Sequence, residues 1–169
     1  TKEELENYFL DHNDKKFRAN QVFEWLYLKR VKSFSEMTNL KKEVIELLER
    51  DFSISPLTLD KVERDTDVNK YLFSLSDNQK IEAVLMGHDY GNSLCISTQV
   101  GCNMGCKFCE SGRLKRVRNL TTAEMVQQLF KVEEDVNVRI SHVVVMGIGE
   151  PFDNYDNLVK FIEIINHQK

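Results

Sequence analysis

Apolar positions follow a helical period through the first third of the chain and a shorter, alternating one beyond it. Phe17, Val22, Phe23, Trp25, Leu26 and Leu28 form an aromatic-rich helical stretch. Leu40, Val44, Leu47 and Leu48 repeat that spacing after Thr38 and Asn39, two cap candidates. Such stripes pack against one another, so residues 1–55 are predicted to be a helical domain with a packing or docking role. Beyond Pro56, residues 70–75 and 80–86 read as strands around the turn-prone Asp77-Asn78, and residues 56–90 as a β-hairpin extension. The run 93–100 reads as one further strand after the turn signal Tyr90-Gly91-Asn92. On it Leu94, Ile96, Thr98 and Val100 share one face and Cys95, Ser97 and Gln99 the other.

From residue 91 the texture becomes α/β. Thr121 with Glu124 makes a capping box for a helix carrying Met125, Val126, Leu129, Phe130 and Val132. Residues 142–146 form a continuous apolar run, the mark of a strand covered on both faces. After the loop Gly147-Ile148-Gly149-Glu150-Pro151, a last helix carries Leu158, Val159, Phe161, Ile162, Ile164 and Ile165. Strand, loop, helix repeated twice implies parallel strands with right-handed crossovers. The expected fold class is α+β passing to α/β, with residues 91–169 as the first units of a partial (β/α) barrel. Two units cannot close such a barrel, so the chain is expected to be a fragment.

Composition narrows the function classes. With 169 residues, 41% of them hydrophobic, the chain can bury a core. No apolar run approaches the roughly 20 residues of a membrane helix, and the polar start is unlike a signal peptide, which predicts a cytoplasmic protein. A net charge of −4 argues against coating nucleic acid by bulk attraction. Any RNA contact would be local, and Lys107, Arg113, Lys115, Arg116 and Arg118 provide a place for it.

All four cysteines lie between positions 95 and 109, unlike a dispersed disulfide framework. Cys102-x3-Cys106-x2-Cys109 puts three soft thiolates on one tight loop, with Gly101 and Gly105 supplying backbone freedom. Three thiolates can hold three irons of a [4Fe–4S] cubane and leave the fourth iron for S-adenosylmethionine. The alternatives are a structural zinc site completed by Cys95, His88 or His142, a ferredoxin-like carrier, and plain reduced cysteine.

With its flanks, this cluster resembles the RlmN family of radical S-adenosylmethionine (SAM) adenosine methyltransferases, related to the Cfr resistance methylases. The resemblance runs from Lys16-Phe17-Arg18-Ala19-Asn20-Gln21 and Trp25-Leu26 through Lys80-Ile81-Glu82-Ala83-Val84. It continues along residues 94–102, Cys106-Lys107-Phe108-Cys109 and Arg118-Asn119-Leu120-Thr121, and ends at Met146-Gly147-Ile148-Gly149-Glu150-Pro151. The chain departs from the family pattern at Glu110-Ser111-Gly112, which leaves Cfr-like carbon 8 methylation as an alternative to carbon 2. The resemblance implies that Cys102, Cys106 and Cys109 hold the [4Fe–4S] cluster of a radical SAM barrel. Phe108 would lie near bound SAM, and Gly149 and Glu150 would contact its amino group.

Glu82 matches the family's general base, which takes the proton from carbon 2 of the adenine. It also shares a strand face with Val84 and Met86, where an unpaired carboxylate is costly. Cys95 matches the cysteine that releases the covalent RNA adduct by a transient disulfide with a methyl-carrying cysteine. That partner has no counterpart among these residues, so the chain alone is expected to be inactive. The implied partners are 23S rRNA, tRNA as a second candidate, and a flavodoxin or ferredoxin as electron donor. A monomer is expected. The rival reading is a zinc-stabilised RNA-binding module without redox chemistry.

Overall fold

The computed structural model describes residues 1–54 and 57–167, and they divide into two compact units. One is Thr1–Ser55 with Ile162–Lys169, the other Pro56–Phe161. The expected boundary between residues 55 and 56 lies outside the described residues.

The first unit holds helices α1 (Lys2–Asp11), α2 (Phe17–Phe23) and α3 (Lys42–Asp51), with α2 running on as a wider turn over Glu24–Leu28. Phe9, Ala19, Val22, Phe34, Met37, Leu40, Val44 and Leu48 form its core, so the predicted stripes pack there except at Phe17 and Leu28, which are exposed. The cap is placed differently. Helix α3 starts after Lys41, and Asn39 instead accepts from the Trp25 indole at 2.6 Å. An indole packed against a core needs an acceptor for its N–H, and that demand takes the Asn side chain away from the helix end.

The second unit is built on strands β1 (Thr58–Arg64), β2 (Val68–Ser74), β3 (Lys80–His88), β4 (Gly91–Cys95), β5 (Gln99–Val100), β6 (Arg118–Asn119) and β7 (His142–Val144). Five of them form one sheet of order β1-β2-β3-β4-β7, and β5 with β6 a separate pair. The predicted hairpin is β2 and β3, turning at Asn78, which adopts a positive φ of 65°. The alternation did not reveal β1, because its exposed Lys61, Glu63 and Arg64 leave little apolar period. Strand β3 pairs with β4, so hairpin and α/β segment share one sheet. Strands β4 and β7 are parallel, as the crossover predicts.

Helix α4 (Thr122–Val136) begins at the predicted capping box, and its stripe Met125, Val126, Leu129, Phe130, Val132 is buried. Tyr71 and Arg64 both reach Asp135 on α4, at 2.9 and 2.8 Å, which sets α4 against the sheet face of Tyr71, Phe73, Ile81, Ala83 and Leu85. The opposite face is half-exposed. Helix α5 (Tyr155–Asn166) follows a short turn, Pro151–Asn154.

Two expectations are corrected. Residues 93–100 are not one strand: β4 ends at Cys95, and β5 pairs with β6 instead of continuing the sheet. Between them the side chain of Gln128 takes over the ladder, its Oε1 accepting from Ser97 N at 2.9 Å and its Nε2 donating to Ser97 O at 3.0 Å. The run 142–146 is a strand only to Val144 and is not covered on both faces, since His142 and Met146 are exposed. No helix among the described residues is long and apolar enough to cross a membrane.

Candidate active site at the ends of the parallel strands

Where β4 and β7 end, two loops leave the sheet side by side. The first, residues 101–117, carries the three clustered cysteines. Its neck is closed by the β5–β6 pair, by Val117 N donating to Val100 O at 2.8 Å, and by Cys102 N donating to Leu114 O at 2.9 Å. Gly101 and Gly105 both adopt positive φ, as the tight loop demands. Cys106 is exposed, Cys102 and Cys109 are half-buried, and all four cysteines are free thiols.

The second loop, residues 145–150, is laced to the base of the first. Thr98 N and Gln99 N both donate to Ile148 O, Ile148 N donates to Ser97 Oγ, and Glu150 N donates to Gln99 Oε1 at 2.9 Å. Gly149 sits at φ 112° against Gln99 and Thr98. The Glu150 carboxylate accepts from Phe152 N at 3.0 Å and caps the turn that Pro151 begins. One oxygen is thereby committed to structure.

Glu82 and Cys95 come together on the half-exposed sheet face. Val84 pairs directly with Cys95, so Glu82, two residues earlier on β3, is its diagonal neighbour at about 7–8 Å. Burial pushes the Cys95 thiol above the ordinary range. Glu82 is not a bare carboxylate on an apolar face: Lys70 of β2 meets it at 2.9 Å. It also stands on the central strand of the sheet, so it is no edge residue.

Two expectations about the basic and histidine side chains change. Arg118 is a clamp at the loop neck, bound to Glu124 at 2.8 and 2.9 Å and to Asp77 at 2.7 Å. Its hydrogen bonds, first to Glu124 and then to Asp77, hold the guanidinium charged well above its usual range. It is therefore unavailable to RNA, whereas Lys107, Arg113, Lys115 and Arg116 are exposed, Arg113 paired with Glu110 and Arg116 with Asp153, each at 3.3 Å. His142 opens β7 and His88 closes β3, at the other end of the parallel strands from the thiol loop. This removes both imidazoles as a fourth zinc ligand. Among the described residues no group of three or more His, Cys, Asp or Glu converges on a single ion.

Sequence reasoning missed the polar frame beneath both loops: Gln99, Gln128 and Asn154, all buried. Asn154 Nδ2 donates to Thr98 O and Leu120 O. Gln128 left a signal, because it stands inside the apolar stripe of α4.

Residues 1–54 match the ribosomal RNA large subunit methyltransferase N-terminal domain, and residues 96–169 the radical SAM superfamily. A probable dual-specificity RNA methyltransferase RlmN from Enterococcus faecalis is 54% identical along the whole chain. The chain belongs to the RlmN family. A further RlmN relative, from Acholeplasma laidlawii, is 49% identical over 100% of the chain. A solved radical SAM methyltransferase from Sphaerobacter thermophilus, 33% identical, matches 99% of the chain with a TM-score of 0.85. The fold is thus the expected one, the start of a radical SAM barrel behind a helical segment. The chain spans about half the length of the RlmN relatives, 49% and 50% of the two named here, and 51% of the solved neighbour.

RlmN-family membership implies a [4Fe–4S] cluster and SAM as cofactors. The residues present fit such a cluster: three free, soft thiol donors on one pinned surface loop. Phe108, 94% exposed, and Met104 are uncovered apolar side chains on this loop, and Met146 is another on the second loop.

Proposed function

We propose that the chain is the cluster-bearing half of a methyltransferase that modifies carbon 2 of an adenosine in 23S rRNA and in tRNA through a methyl-cysteine intermediate. The observation carrying this reading is convergence: the thiol loop, the Gly147–Glu150 loop and the Glu82–Cys95 face meet at one end of one sheet. When bound, the cluster and SAM supply the reducing electron, the radical and the methyl group.

The chain's own residues do the rest. Cys102, Cys106 and Cys109 hold the cluster, and Phe108 lies against SAM. The second Glu150 oxygen and the carbonyls around Gly149 accept from its ammonium group. Glu82 takes the proton from carbon 2 of the adduct, and the Cys95 thiolate attacks the sulfur that tethers the RNA. A disulfide forms as the carbon–sulfur bond breaks, and that bond's electron pair passes to the modified base, which then takes up a proton. Cytoplasmic location, a monomeric state and a flavodoxin or ferredoxin donor complete the proposal.

The test is product analysis with the complete protein. Mass spectrometry of 23S rRNA and tRNA should find 2-methyladenosine, and Glu82→Gln should slow its formation by roughly 10²–10⁴-fold. Methylation at carbon 8 instead, or full activity of Glu82→Gln, would overturn the assignment. RNA docking is checked separately. Changing Lys107, Arg113 and Lys115 to Gln should weaken RNA binding and flatten its salt dependence, by up to about 0.9 in log–log slope for each phosphate no longer neutralised. An unchanged slope would place the RNA elsewhere.

A further inference from the structure

The half-exposed sheet face carries two charged pairs, Lys61–Glu63 and Lys80–Asp60, around a more apolar centre. Lys61 and Glu63 of β1 pair with each other at 2.6 Å, and Lys70 of β2 stands directly opposite Glu63. Beyond Lys70 the face becomes Leu72, Val84 and Met86, with Glu82 and Cys95 set among them. Glu63 has Lys61 as its hydrogen-bonded partner and feels the Lys70 charge across the strand pair, while the Lys70 ammonium itself makes its close contact with Glu82, on the diagonal at 2.9 Å.

We propose that Lys70 is a positioning residue for Glu82, holding the carboxylate on the face it shares with Cys95. The proposal rests on the reading of Glu82 as the base. A base acts only within hydrogen-bond reach of its proton, so a side chain with several rotatable bonds must be restrained. Val84 and Leu72 offer the carboxylate no hydrogen bond; of the lysines on this face Lys61 is paired with Glu63 and Lys80 with Asp60, so the Lys70 ammonium is the charged donor that reaches it. Partly exposed ion pairs add little to stability, so what this one supplies is direction.

The experiment measures RNA methylation by the complete protein at saturating SAM with Lys70→Met, Lys70→Arg, Glu82→Gln and the double variant Lys70→Met/Glu82→Gln. Lys70→Met should lower kcat by roughly 10–100-fold with the KM for RNA within about twofold. Lys70→Arg should recover most of the rate, and Lys70→Met should cost nothing further in the Glu82→Gln background. Wild-type kcat in Lys70→Met, a raised KM at unchanged kcat, an Arg variant as slow as the Met variant, or an equal loss in the Glu82→Gln background each overturns the proposal. Glu82→Gln at the wild-type rate removes the base itself. That outcome is distinct from a slow Glu82→Gln beside a fast Lys70→Met, which defeats Lys70 alone.

Discussion

Replacing Cys102, Cys106 and Cys109 together with Ala should take bound iron, after anaerobic reconstitution, from about four per chain to none, and in the complete protein should abolish methylation. The loss is complete because three ligands are the minimum that holds a cubane with one open iron, and no other thiol is on that loop. The fold should survive. The loop is pinned by the β5–β6 pair and the Arg118 clamp, and Cys106 is exposed, so the unfolding free energy should move by less than about 1 kcal/mol. Cys95→Ala is the control: it lies on the sheet and should keep the iron while blocking RNA release. Iron retained by the triple variant, or one tightly held zinc in the parent, would refute the cluster assignment.

Gly149→Ala should be strongly damaging although the residue lies in a loop outside the core. At φ 112° an L side chain is strained, and its Cβ would lie 2.7 Å from Gln99 Cβ and 2.8 Å from Thr98 Oγ1. Backbone strain of about 1–3 kcal/mol and a similar overpacking term act together, so a loss of about 2–5 kcal/mol is expected, seen as a lowered Tm. The same displacement moves the 145–150 loop from the thiol loop and should weaken SAM binding at least tenfold by calorimetry. Gly105→Asn separates the two causes. Gly105 has φ 62° and open space around it, and Asn tolerates that conformation, so this variant should lose less than about 1 kcal/mol. Equal stability of Gly149→Ala and the parent would show that the two loops do not depend on close approach.

What could be read in the sequence was what a period or a spacing encodes. The helical stripes of the first unit, the β2–β3 hairpin and the Thr121–Glu124 box are local patterns, and the structure repeats them. The three-thiol loop was legible because its chemistry lies in consecutive residues. Strand β1 was missed because a mostly exposed strand has no apolar alternation. The break after Cys95 was missed because the Gln128 side chain, 31 residues downstream of Ser97, replaces the backbone ladder there. Arg118 was read as a possible RNA contact because Asp77 and Glu124 become its neighbours only after folding. Lys70 escaped for a similar reason: a diagonal pairing depends on register, which no single strand reveals.

The register of β3 against β4 also limits how this region can change length. Asp89 and Tyr90 alone join His88 to its partner Gly91, and the same ladder sets Val84 opposite Cys95. One extra residue within the paired part of either strand would shift the pairing by one position and send either Glu82 or Cys95 to the buried face. Two extra residues would keep both on the open face and only lengthen their separation. Insertions and deletions within these paired strands should therefore survive selection in even numbers, a parity rule imposed by the pleat.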